Sequence, residues 1–205
     1  MSHTSLASAE TVTKTIAALQ ANGITAEYVQ TAAEAKDRVL SLIPAGAEVM
    51  TMTSITLLQS GLEDALNSDT YASVKTTLSK LDRETDHAKM QQLGAAPEWV
   101  VGSVHAVTED GKVLVVSNTG SQLPAYAYGA SHVIWVVSTK KITSSIDDGL
   151  KRTQEHVVPL ETKRAQQAYG LPENWETFIS KILIINREVN PERLRIIFVN
   201  EDLGF

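Results

Sequence analysis

The chain has 205 residues, an ordinary globular composition and a formal net charge of −6 at pH 7. This length fits one domain spanning residues 1–205, which buries about 70% of its unfolded surface and needs no metal or disulfide to fold. The absence of cysteine excludes disulfides, thiolate metal sites, a cysteine nucleophile and iron–sulfur ligation by this chain. The acidic balance, with no block of lysine and arginine, argues against a nucleic-acid partner held by phosphate contacts.

The location of the protein is predicted from segments that the sequence lacks. The first residues carry no basic stretch followed by an apolar one, so no secretory signal is expected. The purely apolar runs are far shorter than the ~20 residues that a membrane helix needs. Together with the missing cysteines, these features predict a cytoplasmic protein without a membrane partner.

The N-terminal region alternates helical and strand patterns. Ser8 is placed to cap a helix that runs to about residue 21, and a short strand follows at 25–29. Thr31 and Glu34 have the spacing of a capping box, which predicts the start of a second helix.

The next segments continue this alternation. A strand is predicted at 48–53, followed by a helix that Ser54 caps and that extends to residue 66. The order α-β-α-β-α with short connections predicts an α/β fold with a mainly parallel sheet and helices on both faces.

The middle of the chain contains a hairpin signal. A strand at 72–75 and a helix at 84–93 precede two apolar runs at 99–108 and 113–117. The Asp-Gly pair at 110–111 between these runs is typical of a tight hairpin turn. We therefore expect an antiparallel hairpin inside the otherwise parallel sheet, and its edge is a candidate surface for a homo-oligomer.

The C-terminal third begins with an uninterrupted apolar run at 132–138, which predicts a strand buried on both faces. Ser144 and Asp147 have the spacing of a helix cap, and that helix is expected to stop at Pro159. A second helix is predicted at 161–169. The last apolar runs lie at 181–185 and 194–200.

The strongest candidate site is a polar loop that follows the predicted strand at 113–117 and precedes a short helix at 124–128. Ligands of open α/β sheets bind at the carboxyl ends of strands. A glycine there lets backbone amides face an anion, and a helix N-terminus adds favourable partial charge. A plain turn before a capped helix is the alternative interpretation. The predicted ligand-binding residues are Asn118, Thr119, Gly120, Ser121 and Gln122.

Further polar residues lie where other predicted strands end. Lys140 and Lys141 follow the buried strand at its carboxyl end, the correct end for meeting an anion, and Lys140 joins the candidate ligand-binding residues; a surface lysine pair is the alternative. Asn186 follows the apolar run at 181–185 and joins the candidate ligand-binding residues. Clustered hydroxyl side chains follow the strand at 48–53, where an ordinary helix cap is the alternative: Thr53, Ser54 and Thr56.

His105 and Glu188 are the candidate catalytic residues because either side chain can move a proton near neutral pH. His105 lies within a predicted strand, on the face opposite to Val104. Glu188 follows Arg187, which suits pairing with a carboxylate or phosphate. The alternatives are a structural histidine and a solvated charged turn, so whether the chain is an enzyme stays open.

Motifs for the common cofactors are missing from the sequence. It contains neither the glycine-rich dinucleotide fingerprint nor the phosphate-binding loop of nucleoside triphosphatases, and no nucleophile elbow. The histidines and carboxylates show no spacing typical of a metal site. No cofactor or metal is therefore predicted for this chain.

Ordered strings of residues over nearly the whole chain after the first helix resemble the LUD-domain family, which is named after bacterial lactate-utilisation proteins. They are VGSVHAVTEDG at 101–111, TGSQLPAYAYGA at 119–130, HVIWVV at 132–137, VPLE at 158–161, KILIINRE at 181–188 and LGF at 203–205. The resemblance implies a fold like that of sugar-phosphate isomerases and CoA transferases, whose loops at strand ends bind phosphosugars or CoA esters. A shared fold does not transfer an activity.

The resemblance also implies a function, with alternatives. The first expectation is a subunit or accessory of bacterial L-lactate oxidation, with redox cofactors on iron–sulfur partner chains. The second is a stand-alone enzyme or binder of a phosphorylated or carboxylated metabolite, held by the loop at 118–121 while Glu188 or His105 moves a proton. The third is a non-catalytic assembly subunit.

Two departures from the family pattern narrow the chemistry. Many members have glutamate where this chain has Asn118, and an amide has no carboxylate oxygen with which to form an acyl anhydride. The earlier junction often reads Gly-x-Ser-x-Thr-x-x-Glu, where this chain has Met52 and Gln59 at the two ends. Covalent CoA transfer through Asn118 is therefore disfavoured.

Overall fold

A computed structural model describes residues 4–205, and its strands form two sheets. The strands are β1 (Thr25–Val29), β2 (Glu48–Thr51), β3 (Ala72–Ser73), β4 (Trp99–Gly102), β5 (Ala106–Thr108), β6 (Val113–Ser117), β7 (His132–Ser138), β8 (Ile142–Thr143), β9 (Lys181–Ile185) and β10 (Leu194–Val199). The first sheet has six strands in the order β1-β10-β7-β4-β2-β3, all parallel. The second has the order β8-β5-β6-β9 and mixes parallel and antiparallel pairs.

Helices cover the outer faces of these sheets. They are α1 (Ala9–Ala21), α2 (Ala32–Leu42), α3 (Ile55–Gln59), α4 (Leu62–Leu66), α5 (Val74–Leu78), α6 (His87–Ala95), α7 (Ile146–Arg152) and α8 (Val158–Tyr169). Along β7, Ile134 and Val136 face a core that α2, α3 and α4 close. Trp135 points to the other face, into a core shared with α1 and the second sheet. The predicted α/β class with a mainly parallel sheet is thus confirmed.

The strand predicted at 99–108 is two strands that belong to different sheets. β4 pairs with β2 and β7 in the parallel sheet, whereas β5 pairs with β6 and β8 in the second one. The hairpin between β5 and β6 forms as predicted, with Gly111 at a φ of +82°. Its predicted place inside the parallel sheet is wrong, because the chain crosses between the sheets at residues 103–105.

The predicted helix starts near the N-terminus are confirmed. Ser8 accepts the backbone N–H of Thr11 at 3.1 Å, and Thr31 forms a complete capping box with Glu34. The helix predicted to run from Ser54 to residue 66 is interrupted. Its break lies at Gly61, whose φ of +66° separates α3 from α4.

Later boundaries differ from the predictions. Ser145, not Ser144, caps α7 by accepting the backbone N–H of Asp148 at 3.1 Å. The helix does not stop at Pro159, because a wide turn at Thr153–Val157 leads directly into α8. Pro159 lies in the first turn of α8, where the backbone N–H that proline lacks would have no partner within the helix. The strand predicted at 72–75 stops at Ser73, which caps α5. The helix predicted at 84–93 runs from His87 to Ala95 instead.

None of the helices in residues 4–205 combines the length and the apolar character that crossing a membrane requires.

Candidate functional site

A cleft of about 750 Å³ opens where polar segments at the ends of several strands meet α8. The segments after β2, β4, β6 and β7 contribute Thr56, Ser103, Asn118 and Lys141 respectively to its lining. β2, β4 and β7 are neighbours in the first sheet and β6 belongs to the second, so the fold gathers residues that are far apart in sequence. Ligands of open α/β sheets bind at this position, at the carboxyl ends of the strands.

The lining of the cleft is positively charged although the chain is acidic. It contains four basic side chains, Lys75, Arg83, Lys141 and Arg164, and one acidic side chain, Glu161, while Lys75 forms an ion pair with Glu63 outside the lining. Arg164 neutralises Glu161 by donating two hydrogen bonds of 2.6 and 2.7 Å to its carboxylate. The cleft therefore offers a local positive potential within a chain of net charge −6.

Lys141 lies in the floor of this cleft and is only 4% exposed. It ends the tight turn Thr139–Lys141 that follows β7. Its Nζ donates to the Ser103 hydroxyl at 3.1 Å, the Val104 carbonyl oxygen at 3.2 Å and the Thr56 hydroxyl at 3.3 Å. In residues 4–205 no ion pair includes Lys141.

Burial and neighbouring cations disfavour the charged form of this amine. Removal from water lowers the pKa of Lys141, and the positive charges of Arg152 and Lys140 lower it further, to about 7. Near neutral pH the side chain therefore exists in both protonation states.

Lys140 has a different environment from its neighbour. Its Nζ forms an ion pair with Asp202 and donates to the Gly204 carbonyl oxygen at 2.7 Å. Successive residues of a tight helical turn point in directions about 120° apart, so the turn sends Lys141 to the cleft and Lys140 to residues 202–204. Lys140 is not part of the cleft lining, and its predicted role in binding a ligand stays a prediction.

Arg152 is a second buried cation without an acidic partner among the described residues. It ends α7, is 1% exposed, and its Nη1 donates to the His105 carbonyl oxygen at 2.9 Å. Its Nε and Nη2 are buried without a hydrogen-bond partner. Burial lowers the pKa of Arg152 to about 10. The sequence places Lys141 beside Lys140 at a strand end but does not indicate that its side chain is buried, and it gives no signal for Arg152.

His105 lies near both cations and lines the cleft. Burial, together with the charges of Lys141 and Arg152, lowers the pKa of its ring to about 3, so the imidazole is neutral at pH 7. Its Nδ1 accepts the backbone N–H of Val116 at 3.2 Å, which leaves the proton on Nε2. The ring thus offers a hydrogen-bond donor, while proton transfer by His105 stays a prediction.

The loop at 118–122 forms part of the cleft wall. Asn118, Thr119, Ser121 and Gln122 line the cleft. Gly120 has a φ of +89°, and its N–H donates to the Ser117 hydroxyl at 2.8 Å, within the loop. The helix predicted after the loop is a single wide turn at Ala125–Gly129. The loop therefore presents mainly side-chain hydroxyl and amide groups, and its binding of an anion stays a prediction.

The remaining predicted residues divide into two groups. Thr53, Ser54 and Thr56 all line the cleft. Asn186 follows Ile185, which pairs with Val113 at the end of β9 away from the cleft.

Glu188 lies at the amino edge of the parallel sheet, opposite to the cleft. It forms an ion pair of 2.8 Å with Arg193, which directly precedes β10. Its carboxylate also accepts the backbone N–H groups of Val189 and Asn190, both at 2.8 Å. The structure therefore does not bring Glu188 and His105 together, and its predicted catalytic role stays untested.

Comparison with known families gives the assignment. The model of the LUD domain matches residues 12–199, which is nearly all of the chain. The chain belongs to the LUD domain family. This places it in general terms among proteins related to lactate utilisation.

A solved structure supports the fold of this LUD domain. The chain is similar to the crystal structure of a DUF162 family protein from Deinococcus radiodurans, with a TM-score of 0.56 and 13% sequence identity. The match covers 97% of this chain and 99% of the other. At this identity the likeness shows the fold alone. A search of curated proteins finds no match.

Proposed function

We propose that this LUD domain binds a small carboxylated or phosphorylated metabolite in the floor of the cleft, with Lys141 as its main charge partner. The observation that carries the proposal is a buried amine that lines the cleft, 4% exposed, and has no carboxylate partner in residues 4–205. A buried cation without a counter-charge costs several kcal/mol. An anion bound beside Lys141 and near Arg152 supplies the missing counter-charge and so offsets this cost.

The family suggests the biological setting of this site. We propose that the chain acts as a subunit or accessory of bacterial lactate utilisation, with the redox chemistry on iron–sulfur partner chains. The absence of cysteine supports this division, since an iron–sulfur cluster needs ligands that this chain does not provide. Co-expression with an iron–sulfur subunit encoded beside it is expected to give a complex that co-elutes in gel filtration. Separate elution at micromolar concentration contradicts the subunit role.

The size of the cleft favours a second candidate, a stand-alone binder or enzyme for a larger acid or phosphate. Its volume of about 750 Å³ lies within the ~300–1,000 Å³ of pockets that enclose drug-sized ligands. A three-carbon acid fills only part of it. The ligand series that tests the main proposal therefore extends to larger phosphorylated compounds.

The test measures ligand stabilisation in matched variants. Thermal melting is followed with lactate, pyruvate, inorganic phosphate and a phosphorylated sugar, and with 1,2-propanediol as a lactate analogue without the carboxylate. We expect at least one anion, and not the diol, to raise the melting temperature of the wild type. Lys141→Met is expected to lose this effect, whereas Lys140→Met keeps it, because Lys140 pairs with Asp202 outside the cleft. Equal ligand stabilisation of Lys141→Met and the wild type contradicts the proposal, and so does loss in Lys140→Met alone.

A further inference from the structure

We infer that Lys141 is a nucleophilic amine that forms an imine with the carbonyl carbon of a small anionic oxo compound bound in the cleft. The chemical class includes 2-oxo acids and phosphorylated aldehydes or ketones. This inference rests on the proposed function for the anionic group and adds the reacting centre to it.

The immediate contacts of Lys141 suit an amine that changes its protonation state. Two of its three hydrogen-bond partners are hydroxyls, those of Thr56 and Ser103. A hydroxyl accepts from an ammonium group and can equally donate to the lone pair of a neutral amine. Lys140 instead donates to the Asp202 carboxylate and the Gly204 carbonyl oxygen, two groups that accept hydrogen bonds and have no hydrogen to donate to an amine. Two adjacent buried lysines thus differ in the chemistry that their partners permit.

The charges that act on the pKa of Lys141 are those of Arg152 and Lys140, which both lower it. Lys140 itself points away and pairs with Asp202, while the neutral ring of His105 lies near Lys141. With a pKa of about 7, half of the Lys141 amines are unprotonated at pH 7. For an ordinary lysine that fraction is roughly one in 2,500. Desolvation and a neighbouring cation are the means by which enzymes activate lysine as a nucleophile toward carbonyl groups.

The ligand class follows from the combination of these features. A neutral amine reacts with an electrophilic carbon, for which a carbonyl group is the common metabolic form. The positive potential of the cleft selects among carbonyl compounds for those that carry a carboxylate or a phosphate. The protonated form of the amine binds the anion, and the neutral form attacks the carbonyl carbon. A pKa near neutrality makes both forms available.

The reaction balances without an oxidant or a reductant. The Nζ lone pair attacks the carbonyl carbon, a C–N bond forms, and one amine proton passes to the former carbonyl oxygen, which gives a carbinolamine. The hydroxyl of Ser103, at 3.1 Å from Nζ, is placed to relay this proton. The carbinolamine then takes up one proton from solvent and loses water, which leaves a protonated imine. The products are one iminium ion and one water molecule.

The test traps this imine by reduction. The wild type is incubated at pH 7 with pyruvate and sodium cyanoborohydride, which converts an iminium ion to a stable secondary amine. Peptide mass spectrometry then measures carboxyethyl groups on each lysine over time. We expect Lys141 to be labelled at least tenfold faster than Lys140 or the exposed Lys89, despite its burial. Acetone, a carbonyl compound without a charge, is expected to show a smaller preference for Lys141 over Lys89 than pyruvate does.

Glyceraldehyde 3-phosphate and pyruvate distinguish the two sources of the anionic group. Preferential labelling of Lys141 by either compound supports the inference and names the class, carboxylate or phosphate. Labelling of Lys141 by neither compound above the level of Lys89 overturns it.

Conservative variants separate this inference from the proposed function. Lys141→Arg keeps the charge but removes the amine, so lactate or phosphate should still raise its melting temperature while labelling at position 141 is lost. Lys140→Arg is the matched control and should leave labelling of Lys141 unchanged. If anions stabilise the wild type but Lys141 is not labelled preferentially, the inference falls and the proposed function stands. If anions neither stabilise the wild type nor direct labelling, both fall.

Discussion

Lys141 donates to the carbonyl oxygen of Val104 at 3.2 Å, which ties the turn after β7 to the segment that joins the two sheets. The next carbonyl oxygen, that of His105, accepts from Arg152 at 2.9 Å. Two buried cations are thus fixed on consecutive peptide groups of the crossing segment. Because this segment is bound by β4 on one side and β5 on the other, the sheets themselves hold the two cations close together.

The stability of the protein should depend on pH through Lys141. The folded-state pKa of about 7 lies below the ordinary value, so between pH 7 and 10 the unfolded chain binds more protons at this residue. Stability contributed by this group therefore rises with pH above 7, at most by about 1.4 kcal/mol per unit. In the folded state His105, with a pKa of about 3, and Arg152, with a pKa of about 10, stay largely in one protonation state between pH 7 and 9, and the comparison with Lys141→Met cancels the titration of His105 in the unfolded chain. Urea unfolding at pH 7, 8 and 9 should show this rise in the wild type relative to Lys141→Met, and parallel curves for the two proteins contradict it.

Anion binding should be coupled to proton uptake. A bound anion favours the charged amine and raises its pKa, so above pH 7 the ligand binds together with up to one proton. The dissociation constant is then expected to rise by as much as about tenfold per pH unit above pH 7. Isothermal titration calorimetry at pH 8 in buffers of different ionisation enthalpy measures the proton directly. Lys141→Arg is the control, since arginine stays charged throughout, and it should show no uptake.

Arg152 should set the pH at which Lys141 titrates. Its charge is the largest cationic contribution to the lowered pKa of Lys141. Arg152→Met removes that charge, so the pH dependence of stability or of imine labelling is expected to move upward by up to about one unit. Lys151→Met is the matched control, because it removes a cation from the exposed side of the same helix. An unchanged profile in Arg152→Met argues against electrostatic coupling between the two residues.

The sequence predicts helix starts and buried strands correctly where the pattern of neighbouring residues matches their burial in the fold. The capping box of Thr31 and the apolar run of β7 are examples, since their patterns depend on neighbouring residues alone. The crossing at residues 103–105 was not predicted. Apolar residues continue from β4 into β5 because both strands are buried, and only the tertiary pairing shows that they belong to different sheets.

The candidate site was predicted in part for a related reason. The hydroxyls after β2 and the loop after β6 follow strand ends, and the structure places both in the cleft. Glu188 and Asn186 also follow a strand, but they lie near the end of β9 and the start of β10, on the side of the sheets away from the cleft. Lys140 and Lys141 are adjacent in sequence, so only the turn that separates their directions distinguishes the paired lysine from the unpaired one.

Gly120 should be sensitive to any side chain. Its φ is +89°, and a Cβ at this position would lie 2.6 Å from Cδ of Lys181. Gly120→Ala is expected to lower the free energy of unfolding by about 1–2 kcal/mol from backbone strain. Adding Lys181→Ala should recover the part due to the contact and leave the rest. If the loop binds the anion, Gly120→Val should also abolish ligand stabilisation. A Gly120→Val protein that folds and binds normally shows that the loop is not the site.

Gly102 leaves room for the side chain of Tyr126. It ends β4, and a Cβ there would lie 1.9 Å from the hydroxyl oxygen of Tyr126, with the ring carbon Cζ next at 3.1 Å. Tyr126 is buried in the core between the sheets, so its ring has little room to move. Gly102→Ala is therefore expected to lower the free energy of unfolding by about 2–3 kcal/mol. Tyr126→Phe removes the clashing oxygen, so the double variant Gly102→Ala/Tyr126→Phe should be more stable than Gly102→Ala alone. Chemical denaturation of the four proteins gives this coupling directly, and additive effects of the two substitutions would show that the hydroxyl is not what excludes a side chain at position 102.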